Sequence, residues 1–145
     1  MLSATLFCLI LAVTDGDKVV ASCDHHQMII RLAEIDAPEK RQDFGHKSKL
    51  SLSEMCLYKN AEIIPKTKDR FGRTVGYVNC SGIDANTEQI KRGMAWVFDQ
   101  YVSDKSLYDI QNRAKSSHLG IWQHESPTPP WEWRKSKRSL GEFIK

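Results

Sequence analysis

From Leu6 to Val13 the chain is almost continuously apolar, LFCLILAV, and after Asp15-Gly16 it resumes with KVVASC. Two such runs flanking Asp-Gly predict a strand, a tight turn and a returning strand, because this dipeptide tolerates the positive φ that hairpin turns use. MIIRLAEI predicts a third strand, whose partial alternation sends Ile30 and Leu32 to the core and Arg31 to the other face. Pro38 forbids further ladder pairing, which places Asp36 and Glu39 on a strand-end loop. In GHKSKLSLSEMCLY, Leu50, Leu52, Met55 and Cys56 recur at helical spacings, predicting a helix from Phe44 to about Tyr58. AEIIPK and RTVGYVNC predict two more strands around the polar turn TKDRFG, with Pro65 marking an edge or bulge and Arg73 opening the second strand.

Two shorter helices follow. One spans about 86 to 92, with Asp84 or Asn86 as N-cap and Gly93 as stop. The other starts at Ser103 or Asp104 and ends before Gly120, with the apolar AWVF between them packing one on the other. The Pro- and Trp-rich HESPTPPWEWRK reads as an ordered irregular strap rather than another element. Strands early and helices interleaved and late predict an α+β fold whose small, strongly curved antiparallel sheet closes as a five-stranded oligonucleotide-binding barrel. At 145 residues this is one domain, taken as 1–134 with a basic tail over 135–145.

The formal charge of +3 favours a polyanionic substrate but is too small for a protein that coats DNA. Residues 2–13 are apolar like a signal-peptide core, yet no Lys or Arg precedes them and no small-residue cleavage site follows before Asp15; they are also too few to span a bilayer. They are read as the first strand, and no membrane association is expected. Cys8, Cys23, Cys56 and Cys80 lack C-x-x-C spacing, which leaves two disulfides or four buried thiols. Positions 8 and 23 are equidistant from a tip at Asp15-Gly16, which pairs them, and Cys56–Cys80 follows by elimination. Disulfides would place the protein in an oxidising compartment, secreted or periplasmic. The alternative, a small core hydrophobe, has equal weight for Cys80 within its apolar strand.

Chemistry concentrates in three stretches. TDGDK carries Asp17, RLAEIDAPE carries Arg31, Asp36 and Glu39, and DRFGR carries Arg70, Phe71 and Arg73. Carboxylate oxygens suit a hard cation, and guanidinium forks match a phosphate diester. Taken singly, these stretches also read as a hairpin turn, a surface salt-bridge cluster and a charged turn. The five histidines show no triad or zinc spacing, and Lys135, Lys137 and Arg138 form a basic run that is usually just solvated.

Taken together, TDGDKV at 14–19, IIRLAEIDAPE at 29–39, FG at 44–45, TKDRFGRTVGYV at 67–78, NTEQIKRGMAWV at 86–97 and RAKSSHLGIW at 113–122 resemble the staphylococcal nuclease (thermonuclease) family. The resemblance implies a five-stranded barrel with three helices and a Ca²⁺-dependent, sequence-nonspecific hydrolysis of DNA and RNA to 3′-phosphate ends. It implies Asp17, Asp36 and the backbone carbonyl of Ala37 as metal ligands. Glu39 would hold or deprotonate the attacking water, and Arg31 and Arg73 would clamp the phosphate. Phe71 and Tyr101 stand where that family has aromatics near the nucleotide, and Arg70 joins them as a substrate-binding candidate; Trp131 and Trp133 are expected to pack. Two departures stand out: Lys18 replaces the family's usual threonine, and the segment from Glu39 to Phe44 is short. The expected protein is a monomeric enzyme acting on DNA and RNA. The competing class is a binding module of the same fold that has lost its chemistry, as in the nuclease-like repeats of Tudor proteins.

Overall fold

The computed structural model describes residues 4–144, so the first residues of the predicted strand and the last of the basic tail lie outside it. In chain order the strands and helices are β1 (Leu6–Asp15), β2 (Lys18–Cys23), β3 (His26–Leu32), β4 (Ile35–Asp36), α1 (Gly45–Cys56), β5 (Asn60–Lys68), β6 (Thr74–Cys80), β7 (Ile83–Asp84), α2 (Ala85–Lys91), β8 (Trp96–Val97), α3 (Leu107–Ser116) and α4 (Pro130–Ile144). A 3₁₀ turn, Gly120–Gln123, separates the last two. Antiparallel pairing runs β3-β2-β1-β5-β6, and a parallel contact between β3 and β6 closes these strands into a barrel. No helix among the described residues is long and apolar enough to cross a membrane.

The barrel closes because alternate residues of every strand are apolar. Ile10, Val19, Ala21, Ile30, Leu32, Ile63 and Val78 are buried inside it, with Leu52 and Met55 of α1 and Ile90 of α2 packed against them. Full burial of each large aliphatic side chain stabilises the fold by roughly 1.5–3 kcal/mol. The β3–β6 seam has a polar clamp as well. The buried Asn86 side chain donates to the carbonyls of Ala33 and Gly76 and accepts from the Val78 amide, so α2 ties both strands together. Pro65 marks a bulge as expected, with the register shifting between Pro65 and Thr67.

The first hairpin differs from its expected geometry. Its two-residue loop is Gly16-Asp17, flanked by the Asp15–Lys18 pair, and Gly16 does not have positive φ. Glycine is needed there for close packing: a Cβ would collide with the Ser48 side chain of α1. Two bulges in the β1–β2 ladder then bring Cys8 opposite Cys23. That pair and Cys56–Cys80 are both disulfide-bonded, and no free cysteine remains.

Other boundaries also move. MIIRLAEI does not continue as one strand: β3 ends at Leu32, Glu34 turns through a φ of 70°, and Asp36 lies in β4, paired with Trp96 of β8, rather than on a loop. Leu50 faces out of α1, 49% exposed. α3 begins at Leu107, not at Ser103 or Asp104, whose amides donate to the buried Glu34 carboxylate. The predicted irregular strap is instead α4, which makes four α-helices among the described residues rather than three. Pro130 occupies a first helical position, where no amide donor is required, and neither Gly nor Pro interrupts the chain again before Gly141.

Candidate active site

One end of β2 and β3 meets the β4–β8 pair, and there the acids converge. The turn carrying Asp17 is fixed from both sides: the Gly16 carbonyl accepts from Gln89 Nε2 at 2.7 Å, and the Asp17 carbonyl accepts from the Leu32 amide at 2.8 Å. Asp17 Oδ2 in turn accepts from the Ala37 amide at 2.9 Å, so the hairpin loop and the stretch after β4 hold each other. Both Asp17 and Asp36 are essentially inaccessible, at 1% and 0% exposure. A buried carboxylate without counter-charges is strongly disfavoured, and each here has several.

Arg31 and Lys18 face each other across the β2–β3 ladder. Arg31 Nη2 lies 3.5 Å from Asp17 Oδ2 and 3.2 Å from Asp36 Oδ1, so the two acids share one guanidinium nitrogen. Arg31 Nη1 donates to the carbonyls of Leu32 and Ile35, which fixes the fork's orientation. Lys18 does not point away from the acids. Its Nζ reaches Asp17 Oδ1 at 3.1 Å and Asp15 Oδ2 at 3.3 Å.

A residue that sequence reasoning missed completes the cluster. Arg134 of α4 places Nη1 3.1 Å from Asp36 Oδ1 and 2.6 Å from Glu39 Oε1, and Nη2 2.7 Å from Asp36 Oδ2. Glu39 is positioned by a tight turn in which its amide donates to Gln42 Oε1 and its carbonyl accepts the Gln42 amide. Gln42 Nε2 then reaches the Thr128 carbonyl just before α4. The short segment after Glu39 thus serves to join the acid loop to the C-terminal part of the chain.

Charge and burial act differently on the two aspartates. Burial pushes the Asp36 carboxyl up to about 6, with the Asp17 charge adding to the rise and Arg134 and Arg31 opposing it. Burial also disfavours the Asp17 charge, yet Lys18, Arg31 and the Ala37 amide together hold this carboxyl below the usual range. Burial would lower the Lys18 pKa, but Asp17 and Asp15 outweigh it and raise it. Arg134 is likewise raised, against its burial, by Asp36 and Glu39.

The remaining sequence candidates form a separate group. Arg73 is held by Asp69, with Nε 2.6 Å from Oδ2, and among the described residues it is not ion-paired to Asp17, Asp36 or Glu39. It immediately precedes β6, whose Val75 is opposite Arg31 across the barrel seam. Phe71 is 70% exposed, with the guanidiniums of Arg70 and Arg73 5.0 and 5.4 Å from its ring centre. Tyr101 is exposed too and packs edge-on against Phe98. Phe98 stacks on Trp131 of α4, and both Arg31 and Arg134 lie over its ring. Trp131 therefore packs, as expected, and its packing anchors the helix that delivers Arg134.

Comparison with known proteins agrees with this architecture. The family described as staphylococcal nuclease homologue matches residues 29–124. A Haemophilus influenzae protein named an uncharacterized endonuclease is 38% identical over 132 residues, covering 90% of this chain and 74% of the relative. An Escherichia coli protein with the same description is 35% identical over 138 residues, covering 94% and 90%. The micrococcal nuclease of Shigella flexneri is 28% identical over 141 residues, covering 90% and 81%.

Proposed function

The chain belongs to the staphylococcal nuclease family, and we propose that it is a Ca²⁺-dependent endonuclease that cleaves DNA and RNA without sequence preference and leaves 3′-phosphate ends. The observation that carries this reading is the convergence of Asp17, Asp36, Glu39 and Arg31, from a hairpin turn, a short strand, a loop and a barrel strand, on one buried cluster. A protein that only binds a polyanion has no use for carboxylates placed where phosphate would approach.

The donor set fits a hard cation. Asp17 and Asp36 are anionic oxygen donors close enough to share one counter-cation nitrogen. Among the described residues no group of three His, Cys, Asp or Glu side chains is arranged to hold a metal ion; the proposed protein ligands are these two acids and the Ala37 carbonyl, which would leave positions for water and phosphate oxygen. Bound there, Ca²⁺ would offset the negative charge that accumulates on the phosphate during attack.

The chain's own residues account for the rest of the reaction. Glu39 orients the attacking water and accepts its proton as the water oxygen bonds to phosphorus and the bond from phosphorus to the 5′ oxygen breaks. The departing 5′ oxygen takes a proton from solvent, leaving a 3′-phosphate and a 5′-hydroxyl. Arg31 donates to the phosphate oxygens from a fixed orientation, and Arg73 joins it after exchanging Asp69 for phosphate. Phe71 and Tyr101 offer exposed rings for base stacking, with Arg70 beside the first. We also propose a secreted or periplasmic setting, supported by two disulfides that a reducing cytosol would not maintain.

Incubating the purified protein with single-stranded DNA, double-stranded DNA and RNA, in Ca²⁺, Mg²⁺ or chelator, tests the reading. Cleavage of all three with Ca²⁺ and none with chelator is expected. Undiminished cleavage in excess chelator would remove the metal from the mechanism, and binding without cleavage would remove the enzyme.

A further inference from the structure

α4 contributes a cation to the cluster from outside the barrel and far along the chain. Three acids that share the cluster, Asp17, Asp36 and Glu39, are matched by three cations, Lys18, Arg31 and Arg134. Asp15 lies at the edge, on Lys18. Each of these acids thus has a cationic partner without any metal ion, so a divalent cation gains little from joining them unless one internal cation leaves.

The geometry identifies which one. Lys18 and Arg31 are 16% and 13% exposed and sit opposite each other in the barrel ladder. Arg134 is 29% exposed and reaches the cluster from the solvent side on a helix packed through Trp131. Its fork occupies both oxygens of Asp36, while Arg31 takes a further position on Oδ1. A carboxylate oxygen accepts about two hydrogen bonds or ligands, so Asp36 has little free capacity while Arg134 is in place. Releasing the Arg134 side chain frees positions on both Asp36 oxygens and on Glu39 Oε1, and leaves Arg31 as the cation on Asp36. Trp131 can keep the helix docked throughout, because its stacking on Phe98 and its edge contact with Trp96 do not involve the guanidinium.

We infer that Arg134 is an internal counter-cation that competes with a divalent metal ion for Asp36 while holding Glu39, so that the C-terminal helix sets the metal affinity of the site. The inference rests on the proposal that Asp17 and Asp36 hold a cation. It assigns Arg134 a positioning role: without metal it keeps the buried Asp36 and the half-buried Glu39 paired and aligned, and with metal it gives way.

Calcium titration calorimetry on the wild-type chain, Arg134→Gln and Arg134→Lys tests this without any activity measurement. Arg134→Gln should bind Ca²⁺ at least tenfold more tightly than wild type, because the glutamine amide carries no charge to displace. Arg134→Lys, which keeps a charge but not the bidentate fork, should fall between the two. Near-UV circular dichroism confirms that each variant is folded, and Arg134→Lys alone remains a sufficient test if the glutamine variant is not. Equal or weaker Ca²⁺ binding by folded variants would overturn the competition while leaving the metal site standing. No Ca²⁺ binding by any of the three proteins would instead overturn the metal reading itself, and the competition with it.

Discussion

At the scale of single residues, the site depends on charged groups buried in mutually compensating sets. The grouping of Arg31, Asp36 and Glu39 was legible in the sequence because Pro38 ends the pairing just past Asp36, although Asp36 lies in the separate β4 rather than on the expected strand-end loop. Lys18 was legible only as an anomaly; its direction depends on the loop being Gly16-Asp17, which turns the lysine toward Asp17. Arg134 left no comparable signal, since 98 residues separate it from Asp36. Its role as a counter-cation follows from the tertiary approach of α4. For the reaction, Arg31→Lys and Glu39→Gln should each lower kcat by about 10² to 10³, the usual cost of losing one group that acts on developing charge. Lysine replaces a planar fork with a point charge, and glutamine removes the proton acceptor. Single-turnover cleavage at saturating Ca²⁺ checks this, and losses below about threefold in both variants would place the chemistry elsewhere.

At the scale of elements, the strands were easier to read than the joints between them. Period-two burial along β2 and β6 is written in KVVASC and TVGYVNC, whereas the break after β3 depends on a contact that no local pattern contains. There Glu34, 5% exposed, turns with positive φ and accepts hydrogen bonds from the Tyr77 hydroxyl, both amides of Ser103 and Asp104, and the Ser103 hydroxyl. One carboxylate thereby fastens the end of β3 to β6 and to the start of the α3 segment. Burial works against its ionisation, but these four hydrogen bonds, led by the one from Tyr77, prevail and hold its pKa at about 2, below the ordinary 4.5. A depressed carboxyl pKa adds stability that is fully present above the unfolded value and is lost as pH falls through the folded one. The window is therefore between about 4.5 and 2. Urea unfolding across that range should show the wild type losing roughly 3 kcal/mol more than Glu34→Gln, by the conversion of about 1.4 kcal/mol per pKa unit. Parallel pH profiles for the two proteins would mean that the Glu34 charge does not hold this joint together.

At the scale of the whole molecule, the site is assembled from parts that the barrel and its cross-links bring together. Barrel closure was expected from strand count and curvature, but the pairing of Ile30 with Thr74 that completes it joins distant stretches and could not be read from periodicity. The cross-links were partly legible. Symmetry about the first hairpin chose Cys8–Cys23 correctly although the tip lies one residue later than expected, because two bulges compensate. Cys56–Cys80 does more for the assembly, since it ties the end of α1 to β6. α1 also carries Ser48, which packs on Gly16 and whose carbonyl accepts from the same Gln89 amide that holds the Gly16 carbonyl. Loss of this bond should therefore loosen the support of the Asp17 turn as well as the fold. Chain-entropy reasoning assigns a loop of this size, with a sequence separation of 24, about 3 kcal/mol. Intact-mass measurement after alkylation without reductant should find no free thiol in the native protein. Cys56→Ser/Cys80→Ser should lose about 3 kcal/mol in urea unfolding and bind Ca²⁺ more weakly than wild type while still folded, because the turn that carries Asp17 loses part of its support from α1. A double variant with unchanged stability and unchanged Ca²⁺ affinity would show that the barrel alone fixes the acid turn and that this bond contributes to neither.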